Sequence, residues 1–212
     1  MDKTNQLTLT EEIIETAYHL LIRKLANGGL TAKNESAFQL EFGYILKTLG
    51  QLYEFRLADK FHLEFETYIS LTEQSIKSKS DRARVDLLIK YQDGKTLTKA
   101  AIELKFFKKA NHREPNSRYD VFKDLSNLEL YKQNDIDLCY FILATDHSHY
   151  VNQENYSTDT SDFDFRNGKQ YKAGAILKYK TEKPYGEDIS LKQDYSFKWD
   201  TVENYHFLKV KV

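Results

Sequence analysis

The chain has a single cysteine, Cys139, so no disulfide can close within it and no cysteine-rich zinc or iron–sulfur site can be assembled. A reducing, intracellular setting suits that usage. No stretch approaches the roughly 20 apolar residues needed to span a bilayer. The opening MDKTNQLTLTEE places acids early and has neither an apolar run nor a small-residue cleavage site, which argues against a secretory signal. A soluble, cytoplasmic protein is expected. A glycine-rich phosphate loop, a serine nucleophile turn and an H-E-x-x-H zinc helix are also missing. So is any excess of one charge. Lys+Arg number 31 against 32 Asp+Glu, a formal net charge of -1, which excludes coating of nucleic acid by bulk charge but leaves room for a local basic face. With 2 Pro and 8 Gly against 41% hydrophobic and 14% aromatic residues, the composition is globular, neither disordered nor collagenous.

A length of 212 residues suits one domain, with a core of about 30–146, an N-terminal helix over 8–26 and a β-rich extension over about 147–212. Ile13, Ile14, Ala17, Leu20, Leu21 and Leu25 recur at helical spacing behind Thr10 as cap, and Asn27-Gly28-Gly29 stops the run. Asn34 caps a second helix, ESAFQLEFGYILKTL, which Gly50 ends. FHLEFETYISL alternates as a half-buried strand. Val85 to Ile89 and AAIELKFF form a hairpin with a slightly long connection about Asp93-Gly94, and KKANHREPNS reads as a loop. A helix from about Arg118 to Lys132, with Phe122, Leu125, Leu128 and Tyr131 inward, leads to the strand CYFILA. The order helix, three strands, helix, strand predicts an α/β (α+β) fold, a mixed sheet flanked by helices. YKAGAILKYK, DYSFKW and YHFLKVKV supply further short strands at the C-terminal end.

Within this frame Asp86 of RVDLLI and Glu103 and Lys105 of AIELKFF are the informative residues. Side chains alternate along a strand, so Glu103 and Lys105 share one face while Ile102, Leu104 and Phe106 share the other. In a hairpin Asp86 can approach Glu103 on that face. Two carboxylates in a partly dry site need a counter-charge, which a divalent metal supplies. Lys105, two residues on, can orient a water and stabilise charge on a phosphoryl oxygen. An ordinary surface pair on an antiparallel sheet would share the Glu-x-Lys spacing, but Asp86 before three apolar residues is an odd choice for a buried strand. Glu35 lies in the sector of Phe38, Phe42 and Ile45 on the second helix. It is either a first-turn charge favoured by the helix dipole or a third carboxylate aimed at the metal, with Gln39 one turn on in support.

Glu35 on a helix before the sheet, Asp86 on its second strand, Glu103-Leu104-Lys105 on its third, then a helix and CYFILA, resemble the PD-(D/E)XK, or restriction-endonuclease-like, nuclease superfamily. The resemblance covers roughly residues 30–146 and is most like bacterial type II restriction-like endonucleases. It implies a restriction-endonuclease-like core and a Mg2+-dependent DNA endonuclease, with Mn2+ as a substitute. Asp86, Glu103 and the backbone carbonyl of Leu104 would ligate the metal, Glu35 would reach it directly or through water, and Lys105 would position the attacking water. The products would carry 5′-phosphates. A homodimer is implied for cutting two strands. Val85 stands where the motif has proline before the aspartate.

Cations flank this centre. Lys108, Lys109, Arg113, Arg118 and Lys123 follow it, and Lys77, Lys79, Arg82 and Arg84 precede Asp86, as DNA phosphates would require. A repair or mobile-element nuclease of the same superfamily is one rival. A non-catalytic nucleic-acid-binding protein on a nuclease scaffold is the other. His147 and His149 could bind a metal but suit a polar loop, and Cys139 reads as a buried, inert thiol.

Overall fold

The computed structural model describes residues 2–212. Two helices, α1 (Lys3–Ala26) and α2 (Glu35–Leu52), precede three long strands, β1 (Asp59–Ser70), β2 (Arg82–Asp93) and β3 (Thr96–Phe107). Helix α3 (Glu114–Gln133) crosses to β4 (Leu138–Thr145), and a short helix, α4 (His149–Asn152), opens the C-terminal third. That third holds the ribbon strands β5 (Gln170–Tyr171), β6 (Ile176–Leu177), β7 (Ile189–Ser190) and β8 (Tyr195–Ser196), then β9 (Trp199–Val202) and β10 (Tyr205–Lys211). Six strands make one sheet in the order β1-β2-β3-β4-β10-β9, with β3 and β4 parallel and every other pair antiparallel. The expected mixed sheet flanked by helices, with extra C-terminal strands, is the observed architecture. Among the described residues no helix is long and apolar enough to cross a membrane.

Both faces of the sheet are covered, which is why every residue of β4 is buried. On one face Ile102, Leu104 and Phe106 of β3 and Tyr140, Ile142 and Ala144 of β4 pack under α1 and α2. On the other, Phe141 and Leu143 meet Phe122, Leu125 and Leu128 of α3. The C-terminal third works in two ways. Strand β10 extends the sheet beside β4, while the segment before it lays Phe163, Phe165, Tyr171 and Phe197 around Phe122, at ring-centroid separations of 5.5 to 6.2 Å. Helix α3 is therefore sandwiched between the sheet and an aromatic layer.

Several boundaries differ from the sequence expectation for local reasons. Helix α1 starts at Lys3 because the Asp2 carboxylate accepts from the Asn5 N–H (2.8 Å); Thr10 is a buried mid-helix residue whose hydroxyl donates to the Gln6 carbonyl (2.8 Å). Gly50 does not end α2. A Cβ there would lie 2.2 Å from the Phe61 ring, so the glycine serves the approach of β1. Helix α3 begins at Glu114, not near Arg118, because Pro115 suits a first turn. The β2–β3 connection is short, with Asp93 paired to Thr96 across Gly94 and Lys95. Strand β1 changes its inward face at Glu66 (φ 52°): Phe61 packs beneath α1 and α2, and Ile69 packs on the α3 side.

Because Phe122 ties the aromatic layer to the sheet core, Phe122→Ala is expected to cost about 3–5 kcal/mol in urea unfolding, with a single transition retained. Two transitions, or a loss under about 1 kcal/mol, would show the C-terminal third to be a separate unit.

Candidate active site

The site begins where two strands part. Residues Leu87 and Ile102 are the last pair of the β2–β3 ladder at that end, yet β2 stays paired with β1 as far as Arg82. Asp86 and Glu103 are the next residues on the separating strands. The Asp86 carboxylate fills the gap by accepting the orphaned Leu104 N–H (2.7 Å). Gln39 of α2 donates both to the Asp86 carbonyl (2.7 Å) and to the Glu66 carboxylate (3.0 Å), where β1 changes face. The predicted support from Gln39 is therefore to the backbone of Asp86.

Alternation along β3 sends Glu103 and Lys105 toward α3, away from Leu104. Glu103 is fully buried. One oxygen accepts from Lys77 Nζ (2.8 Å) and the other from the Tyr131 hydroxyl (2.9 Å). Lys105 Nζ lies 2.8 Å from Asp124 of α3, 3.1 Å from the Leu104 carbonyl and 3.5 Å from Glu35. Glu35, in the first turn of α2 behind the Asn34 cap, also accepts the Phe106 N–H at 3.4 Å. Asp124, also buried, is 3.4 Å from Lys77. Asp86, Glu103, Lys105 and Glu35 thus share one cluster, joined by three residues not assigned to it from sequence: Lys77, Asp124 and Tyr131.

The charges do not cancel locally, for four carboxylates meet two ammonium groups. Burial pushes the Glu103 carboxyl well above the usual range, and the charges of Asp124 and Asp86 push it the same way. Burial also raises Asp86 and Glu35, against the pull of Lys105. Asp124 falls below its ordinary value, because Lys105 and Lys77 outweigh the effect of its burial. Burial disfavours the charged form of Lys105, but Asp124 and the other three acids hold its pKa well above normal. The upward shift favours the ammonium form of Lys105, which donates hydrogen bonds.

The donor chemistry, carboxylate oxygens beside a backbone carbonyl and surplus negative charge, fits a hard divalent cation. The arrangement is nevertheless built around ammonium groups: among the described residues no three His, Cys, Asp or Glu side chains converge on one metal position. Asp86, Glu103 and the Leu104 carbonyl are the groups that would hold such an ion, with Glu35 at the rim.

A cavity of about 470 Å³ opens over Lys105, Glu35 and Asp124. Its cations are Lys33, Lys77, Lys105, Lys108, Arg113 and Lys123, against the acids Glu35, Asp120 and Asp124. Of the cations expected to meet phosphate, Lys77, Lys108, Arg113 and Lys123 line it, Lys77 with its ammonium on Glu103, and Lys109 is exposed nearby. Lys79, Arg82 and Arg84 are exposed outside it, Lys79 near Glu187 (3.4 Å), Arg84 on Glu66 (2.7 Å) and Arg82 over the Tyr68 ring (4.8 Å). Arg118 is a correction. It is 2% exposed, stacked 3.7 Å from the Tyr156 ring and bonded to Thr160, so it holds the aromatic layer instead of facing a ligand. His147 pairs with Glu114 at 3.0 Å. Cys139 is buried, and burial raises its thiol pKa, as an inert thiol requires.

Comparison with family models, curated proteins and solved structures finds no match to this chain.

If Lys105 and Asp124 form a buried pair, Lys105→Met alone should cost about 3–5 kcal/mol of unfolding free energy. The Lys105→Met, Asp124→Asn double variant should recover much of it. Losses that simply add across the two sites would contradict the coupling.

Proposed function

We propose that this chain is a divalent-metal-dependent endonuclease that hydrolyses DNA phosphodiester bonds, with a restriction-endonuclease-like core and Mg2+ as the working ion, replaceable by Mn2+. One observation carries the reading. Asp86 and Glu103 flank the point where β2 parts from β3, and Lys105, two residues on, faces a cationic cavity. The element order supports it too, since α2, the antiparallel β1–β3, α3 and the parallel β4 succeed one another as the superfamily resemblance requires.

A divalent ion on Asp86, Glu103 and the Leu104 carbonyl would supply a Lewis acid and a more acidic water. The chain's own residues do the rest. Lys105, kept charged by Asp124 and Glu35, donates to the attacking water or a phosphoryl oxygen, and its hold on Asp124 fixes its direction before substrate arrives. Glu35 accepts from water at the cavity rim. Lys108, Arg113 and Lys123 attract neighbouring phosphates. Cleavage of both strands of a duplex calls for two copies of the chain, and a homodimer belongs to this proposal.

A second reading has its own observation. The Glu103 oxygens are already taken by Lys77 and Tyr131, as they would be on a nuclease scaffold that binds nucleic acid without cutting it.

Supercoiled plasmid with Mg2+ separates the readings. The parent should give nicked and linear DNA with 5′-phosphate ends, EDTA should stop the reaction, and Asp86→Asn should slow it by about a hundredfold or more. Cutting that persists in EDTA or is undiminished in Asp86→Asn would overturn the assignment. Binding without cutting would favour the scaffold reading. Discrete sequence-defined fragments mark a restriction enzyme, whereas branch-dependent cuts mark a repair or mobile-element nuclease.

A further inference from the structure

Lys77 is placed on Glu103 by a loop, whereas every other charged group of the cluster comes from the sheet or a helix. The loop, residues 71–81 between β1 and β2, is tightly built. The Leu71 N–H donates to the Asp81 carbonyl at 2.7 Å and the Lys79 N–H to the Ser75 carbonyl at 2.7 Å. The buried Ser75 hydroxyl donates to Asn127 of α3 at 2.6 Å and accepts the Lys77 N–H at 3.0 Å. From that anchor the Lys77 side chain, 26% exposed, passes along the cavity wall, and its ammonium lies between Glu103 (2.8 Å) and Asp124 (3.4 Å).

An ammonium and a divalent ion held on one carboxylate oxygen repel each other strongly in a poorly hydrated site, so each weakens the hold of the other. Tyr131 donates to the second Glu103 oxygen, a neutral contact that a metal-bound carboxylate can keep. Lys77, unlike Tyr131, is charged, partly exposed and next to open space into which it can swing. Resting on the metal-dependent reading above, we propose that Lys77 is a built-in competing cation. It occupies the Glu103 oxygen that the divalent ion needs, and it leaves for the cavity when the ion binds. When no ion is bound it neutralises a fully buried carboxylate; its cost is a lower apparent metal affinity, since only the fraction of molecules with Lys77 withdrawn can bind.

Calorimetric titration of the full chain with Mg2+ alone, without DNA, tests this. Lys77→Met keeps the aliphatic stem and removes the charge, and should tighten Mg2+ binding by about tenfold or more. Lys77→Arg should bind like the parent. As a second readout that needs no variant, Mg2+ should speed tryptic cleavage after Lys77 in the parent. Equal or weaker Mg2+ binding by Lys77→Met, or unchanged tryptic cleavage if that variant does not fold, would overturn the proposal. If the parent binds Mg2+, loses it in Asp86→Asn and gains nothing in Lys77→Met, only the competing-cation role fails. No Mg2+ binding by either parent or Lys77→Met would sink the metal-dependent reading with it.

Discussion

A fully buried carboxylate on a central strand is the constraint around which this site is organised. Glu103 has no access to water, and an unpaired charge there would oppose folding. Its partners come from three directions: Lys77 from the β1–β2 loop, Tyr131 from α3, and the alternation of β3 that places Lys105 on the same face. Asp124 then balances both lysines. The parting of β2 from β3 provides room for this cluster, and Asp86 closes the backbone gap that the parting leaves.

The C-terminal third turns this sheet-and-helix unit into an enclosed one. Without it, the face of α3 away from the sheet would meet solvent. With it, Phe163, Phe165, Tyr171 and Phe197 surround Phe122, Arg118 is drawn into the aromatic layer, and Tyr185 reaches the edge of the cavity. Enclosure lowers the local dielectric and so strengthens each charge interaction within the cluster. The cavity is cationic although the chain carries nearly zero net charge, for six lysine and arginine side chains gather there around three acids.

Much of the core was legible in the sequence because strand alternation is a strong signal. It placed Glu103 and Lys105 on one face, put Asp86 on the preceding strand, and identified the Asn34 cap that sets Glu35 at the start of α2. The sequence does not single out Asp124, and it presents Lys77 as a phosphate-facing cation instead of a partner of Glu103, both for physical reasons. The inward stripe of α3 stands out in the sequence only through its apolar residues, although Asp124 lies seven positions before Tyr131 and four before Leu128, on that same side of the helix. Its spacing from Tyr131 was the available signal. Lys77 belongs to a polar loop, and no periodicity tells which loop residue folds back over a site. Arg118 misled because a cation in a charged stretch reads as solvent-facing until the layer that buries it is seen.

The chemistry follows from one tension. The cluster beneath the cavity, four acids to two lysines, is stable when its charges are shared among Lys77, Lys105 and hydrogen-bond donors, and reactive in the proposed sense when a divalent ion takes over part of that role. Anomalous scattering from crystals grown with Mn2+ and a DNA oligonucleotide addresses this most directly. A Mn2+ peak held by the Asp86 and Glu103 carboxylates, with a DNA phosphate beside Lys105, is the predicted result. A map with no peak there, or with Mn2+ bound elsewhere while Lys77 stays on Glu103, would contradict the account.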